Sequence, residues 1–193
     1  MRTSGVTGAA RQPTAAGPEE ADDGLVARAR AGDRRAFAAL VTRHYPMIHR
    51  LAWRCCGDRT DAEDIAQEVC VRVARGLAGF EGRSSFPSWL YGITLNAARD
   101  AGRARARRTA TLRGAAVAAL IDAAEPEQAG DEEALWQAVR GLPPRQRDAV
   151  MLVHVEGLTH RQAADALGCA ETTVSWHLFA ARRQLKTLLA RAS

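Results

Sequence analysis

The stretch LTHRQAADALGCAETTVSWHLFA, Leu158 to Ala180, constrains this chain more than any other part of it. Thr159 followed by Gln162 fits a capping box, so a helix is expected to start there. Ala164 is small where two helices must cross closely. Gly168 falls where a turn needs a positive φ, and Val174 is an apolar anchor beyond it. Small residue, turn glycine and anchor at these spacings suit two helices joined by a short turn. The second helix then offers Glu171, Thr172, Ser175, Trp176 and His177 to a DNA major groove. A plain helical hairpin with a glycine C-cap is the competing reading of the segment.

The chain's 193 residues suffice for one large domain or two small ones, and a 47% hydrophobic content excludes global disorder. The net charge of +5 comes almost wholly from arginine, Lys186 being the one lysine. Arginine and alanine are both abundant, which points to a GC-rich genome, so local arginine clusters carry the signal rather than the total. Cys55, Cys56, Cys70 and Cys169 form no CxxC pair, and buried reduced thiols are expected rather than a metal site. No apolar leader and no run approaching ~18 apolar residues is present, so a soluble cytoplasmic protein without cofactor or metal is expected.

Periodicity is helical throughout, with no strand pattern, so the fold class is all-α. Residues 1–21 read as a disordered tail. From residue 22 to 108, Asp33 caps a helix whose stripe is Phe37, Leu40, Val41, His44, Ile48, Leu51 and Ala52, ending at Gly57. Thr60 and Glu63 suggest a second capping box, with Ile65, Val69, Val73 and Leu77 buried and a stop near Gly79. After the loop from Phe80 to Ser85, a helix begins at Phe86, buries Leu90, Ile93 and Ala97, and runs to Arg108. Residues 109–130 read as an acidic linker, with Asp122, Glu125, Glu127 and then Asp131, Glu132 and Glu133. A second unit, 131–193, contains the helix pair.

No glycine-rich phosphate loop, GxSxG or HExxH is present, which favours a binding protein over an enzyme. Gly92, Asn96, Arg99 and Arg103 recur at helical spacing and share one face opposite the apolar stripe. With Arg105, Arg107 and Arg108 beyond, that face suits a phosphate backbone. Phe80, Phe86, Trp89 and Tyr91 bunch beside it. Phe86 and Trp89 are expected in the core, and aromatic groups next to a basic track also suit an unstacked base.

The segments Asp61 to Asp100 and Leu142 to Lys186 resemble regions 2 and 4 of bacterial RNA polymerase sigma factors. Their order, with a short linker and no region 3, is similar to the extracytoplasmic-function (ECF) group. The resemblance implies two small helical domains that recruit core polymerase to promoters and melt the minus-ten element. It implies core contacts, on the β′ clamp helices, from Asp61, Asp64, Gln67 and Glu68. Minus-ten contacts are implied for Phe80, Ser84, Ser85, Trp89, Asn96, Arg99 and Arg103, with Gly92 where some relatives carry a long polar side chain. Minus-thirty-five contacts are implied for Thr159, His160, Arg161, Thr172, Thr173, Ser175, Trp176, His177 and Arg182, with Phe179 and Arg183 nearby. Arginines frequent in relatives are missing between Ser175 and His177, and Trp176 is open to a packing role. The resemblance further implies docking on the β flap tip, an acidic linker mimicking RNA, and an anti-sigma partner. A stand-alone operator-binding regulator is the alternative function.

Overall fold

The structure, a computed structural model, describes residues 21–115 and 131–192. The expected tail and the central part of the acidic linker, with Asp122, Glu125 and Glu127, lie outside the described residues. Within them the chain forms helices and turns only.

The N-terminal unit is built from α1 (Asp22–Arg30), α2 (Arg34–Cys56), α3 (Arg59–Gly76), a 3-10 turn (Leu77–Gly79) and α4 (Phe86–Ala115). Asp33 caps α2 by accepting from the Arg35 and Ala36 amides at 2.8 and 3.2 Å. Gly57 closes it in the left-handed region at φ 73°. Pro46 lies inside α2 and removes one intrahelical donor. The helix continues regardless, because Leu40, Ile48 and Leu51 on its inner face are fully buried. Each such side chain contributes roughly 1.5–3 kcal/mol of burial.

Two boundaries differ from the sequence expectation. α3 starts before Thr60, because Asp58 is the cap and accepts from the Asp61 amide at 2.8 Å. Thr60 and Glu63 then fall inside the first turns. α4 continues past Arg108 to Ala115, so residues 109–115 extend the helix instead of beginning a linker. From Thr109 to Arg113 no glycine or proline interrupts the helix before Gly114.

The C-terminal unit comprises α5 (Asp131–Arg140), α6 (Pro144–Val150), a π turn (Met151–Val155), α7 (His160–Leu167) and α8 (Glu171–Ala192). Its core holds Leu142, Met151, Leu152, Ala163, Val174 and Ala181. The two units lie against each other, chiefly where α7 packs on α4.

Candidate nucleic-acid interface

The helix pair forms as its spacing predicts. Thr159 Oγ1 accepts from the Gln162 amide at 3.2 Å, and Gln162 Oε1 accepts from the Thr159 amide at 2.9 Å. Gly168 ends α7 at φ 64°, and the Cys169 amide returns to the Ala164 carbonyl at 3.1 Å. Val174 is fully buried, and Ala163 and Ala164 are buried on α7, where the two helices pack together. With Val174 and Ala181 facing inward, helical period turns Thr172, Trp176, Phe179 and Arg183 outward as one stripe.

Trp176 is 60% exposed and Phe179 62%, and the Trp176 ring meets His177 edge-on at 5.1 Å while most of its surface stays open. The Arg183 guanidinium lies 5.9 Å from the Phe179 ring centre. Ser175 is exposed but engaged: its hydroxyl donates to the Glu171 carbonyl at 3.1 Å and meets His160 Nδ1 at 3.0 Å. His160 and Arg161 stand exposed at the start of α7, and Arg182 is exposed on α8. Thr173 and His177 turn away from this face. They line a hollow beside Arg145, where His177 Nδ1 is buried without a hydrogen-bond partner and burial lowers its pKa.

The aromatic bunch beside the loop is a packing cluster. Phe80 is buried, with its ring 5.9 Å from Phe86 and 5.0 Å from Trp89. Trp89 covers Gly76, where an added Cβ would meet its ring at 3.2 Å. Phe80 and Trp89 therefore hold the loop in shape and do not face outward as stacking platforms. Glu81, Gly82 and Arg83 are exposed at the loop tip, and Ser84 is half-buried. Ser85 Oγ accepts from the Ser88 amide at 3.3 Å, which caps α4.

The expected basic face of α4 is only partly free. Asn96 is exposed and accepts a hydrogen bond from Arg99. Arg103 is exposed and bonded to Asp100. Gly92, however, is buried beneath α7, where a Cβ would come 2.5 Å from the Ala166 carbonyl oxygen. Arg99 Nε lies 3.1 Å from Asp148 on α6. The Asp148 side chain is 1% exposed, and neither of its oxygens has an aligned hydrogen bond, so the pair is a charge contact. Burial raises the Asp148 pKa to about 6, against the opposing pull of Arg99, Arg147 and Arg145.

A second tie joins the units at Glu156, which the π turn carries across the gap. Its side chain is 3% exposed and accepts from Arg50 and Arg54, each at 3.0 Å, and from Tyr91 at 3.1 Å. Burial, then the Glu156 charge, pushes the Tyr91 pKa up to about 12. No spacing rule could reveal this cluster, since its partners are 65 to 106 residues apart. Asp148 did leave a trace, as a lone acid in the apolar run Asp148-Ala-Val-Met-Leu-Val153.

On α3, Asp64, Gln67 and Glu68 form an exposed edge, joined by Val71, which is apolar and exposed. Asp64 and Gln67 bond to nothing among the described residues, whereas Glu68 accepts from Arg72 at 2.8 Å. Asp61 is separate in role, paired with Arg105 of α4 at 2.7 Å. Among the described residues no group of acids, histidines and cysteines is placed to hold a metal ion, and no helix is long and apolar enough to cross a membrane.

Comparison with known proteins places these elements. Residues 40–108 match the Sigma-70 region 2 family, and residues 132–185 match Sigma-70 region 4. RNA polymerase sigma-H factor of Pseudomonas aeruginosa is 34% identical over 183 residues, covering 89% of this chain and 95% of its own length. ECF RNA polymerase sigma factor SigM of Mycobacterium tuberculosis is 36% identical over 172 residues, covering 89% and 86%. Among solved structures, CnrH in complex with the cytosolic domain of CnrY aligns with TM-score 0.67 and 28% identity, covering 90% of this chain and all of that one. RpoE with the anti-sigma factor NepR from Bartonella quintana aligns with TM-score 0.62 and 26% identity, covering 80% and 96%. With a region 2 bundle, a region 4 helix pair and full-length relatives of one kind, this chain belongs to the ECF sigma factors of the sigma-70 family and directs transcription initiation.

Proposed function

We propose that residues 22–108 work as the core-binding and minus-ten unit and residues 131–193 as the minus-thirty-five unit. The exposed edge of Asp64, Gln67 and Glu68 docks on the β′ clamp helices, with Val71 adding an apolar contact beside them. The loop tip, with Ser84 and Ser85, and the α4 residues Asn96, Arg99 and Arg103 engage the melted minus-ten strand. Thr172, Trp176, Phe179 and Arg182 of α8 enter the minus-thirty-five major groove, while Thr159, His160 and Arg161 meet phosphates. The factor itself performs no covalent step, and it acts in the cytoplasm beside the polymerase. An anti-sigma partner fits, since the relative RpoE of Bartonella quintana is solved in complex with the anti-sigma factor NepR.

The observation that carries this reading is the outward stripe on α8, held by a complete capping box and a left-handed glycine. The covering of Gly92 and Arg99 by the C-terminal unit adds a condition. To expose the minus-ten face, α7 must leave α4, so promoter engagement is coupled to separation of the units. Replacing Asn96 with alanine tests the assignment by permanganate footprinting of the holoenzyme. Open-complex reactivity is expected to fall much further than closed-complex binding. Equal loss in both would argue against a melting role.

A further inference from the structure

The contact between the two units encloses a cleft of about 500 Å³ whose charge is one-sided. Arg99, Arg103, Arg105 and Arg108 line it from α4, and Arg140 and Arg147 from α5 and α6. Four of these already have carboxylate partners, namely Asp148, Asp100, Asp61 and Glu133. Arg108 has none among the described residues, and Arg147 makes no ion pair there, although its charge acts on Asp148. Among the described residues six arginines line this concave space and Asp61 is the one carboxylate that does, and low-dielectric walls concentrate the resulting field. Arg147 Nε is itself buried without a hydrogen-bond partner, so this side chain lines the cleft from a partly covered position.

We infer that this cleft binds an oligophosphate anion, the chemistry shared by nucleoside polyphosphates and inorganic polyphosphate. Planar guanidinium forks match phosphate oxygens two at a time, which explains arginine on both walls. The volume lies within the range of small-ligand sites. Ile65, Ala98 and Pro144 supply an apolar lining that a nucleoside would cover and a bare phosphate chain would not. DNA phosphate contact alone does not account for the site. Arg140 and Arg147 belong to the opposite wall, and the cleft is far too small for a duplex. An anion that bridges the walls holds the units together, and so opposes the separation that promoter engagement requires. Arg99 and Arg103 belong both to the cleft and to the promoter contacts proposed above, so the effect on separation rests on that reading while anion binding itself does not.

The test is calorimetric titration of the full chain with sodium tripolyphosphate, GTP and guanosine, without polymerase or DNA. Tripolyphosphate and GTP are expected to bind in the micromolar range and guanosine not at all. Arg147→Ala and Arg108→Ala are each expected to weaken binding by about tenfold or more. Arg108 is exposed, so its variant removes charge without risk to the fold. Arg34→Ala, on a distant surface, is the control and leaves binding unchanged. Tighter binding of GTP than tripolyphosphate assigns the nucleotide as ligand, and equal binding assigns the phosphate chain. Backbone hydrogen exchange in α7, which does not line the cleft, slows on saturation if the anion bridges the units. Binding that needs millimolar anion, or that the Arg34 variant weakens as much as the Arg147 variant, overturns the site. An unchanged α7 overturns the bridging. If a short single-stranded oligonucleotide occupies the same Arg147-dependent site more tightly than tripolyphosphate, the cleft belongs to the promoter strand and the inference falls.

Discussion

Asp148 carries a measurable signature at the scale of one residue. Its folded pKa of about 6 stands above the ordinary 3.8, with burial as the main cause. Between about pH 4 and 6 the folded chain therefore binds more protons than the unfolded one, and stability contributed by the protonated form is lost as pH rises through that window. A carboxyl raised that far corresponds to roughly 3 kcal/mol. Asp33 and Asp100, whose pKa values are lowered by arginine partners, act in the opposite direction and lose their contribution as pH falls. The difference in urea stability between the native chain and Asp148→Asn is expected to change by about that amount from pH 4 to 6.5. A flat difference would place Asp148 in solvent. The cysteines also separate at this scale. Burial pushes the Cys55 thiol up to about 12 and raises Cys56, Cys70 and Cys169 as well. The thiolate is the reactive form, so Cys55 should escape iodoacetamide at pH 7.5 until the chain unfolds. Rapid labelling of native Cys55 would contradict its burial.

Among the elements, the α7–α8 pair and α3 are where sequence and function lie closest. Gly168→Ala puts a side chain at φ 64°, so thermal unfolding should report a loss of about 1 kcal/mol or more. No loss would mean the turn relaxes at no cost. For α3, Asp64→Arg with Gln67→Arg should abolish core polymerase binding while circular dichroism stays unchanged, because both side chains are exposed. Undiminished binding would remove this edge from the interface. These elements were legible because their signals are local: a capping box, a turn glycine and a 3.6-residue stripe each depend on neighbours in sequence. The α3 start differs from its sequence signal because a second local signal competes, Asp58 capturing the Asp61 amide ahead of Thr60. Phe80 and Trp89 were harder, because an aromatic near a loop looks the same in sequence whether it stacks inward or outward. His177 and Thr173 fell on the wrong side for a similar reason. Neighbouring positions on a helix differ by only about 100°, so the groove-facing set is narrower than the segment.

For the whole molecule, the arrangement of the two units was invisible in the sequence, because its ties are long-range charge contacts rather than periodic patterns. Glu156 with Arg50, Arg54 and Tyr91, Asp148 with Arg99, and the backbone approach at Gly92 all act across the same boundary. Glu156→Ala removes one tie and should open the molecule. Small-angle scattering is expected to show a larger radius of gyration, with faster hydrogen exchange in α7. An unchanged radius and exchange would show that Glu156 does not hold the units together. In the proposed function, two DNA-reading units act together on one promoter. Run-off transcription by core polymerase, with and without this protein, across a library of genomic fragments tests it most directly. Transcripts are expected that require the protein and start a fixed distance downstream of a two-part motif with narrow spacing between its parts. Protein-dependent transcripts sharing only a single motif, or no protein-dependent transcripts at all, would contradict it.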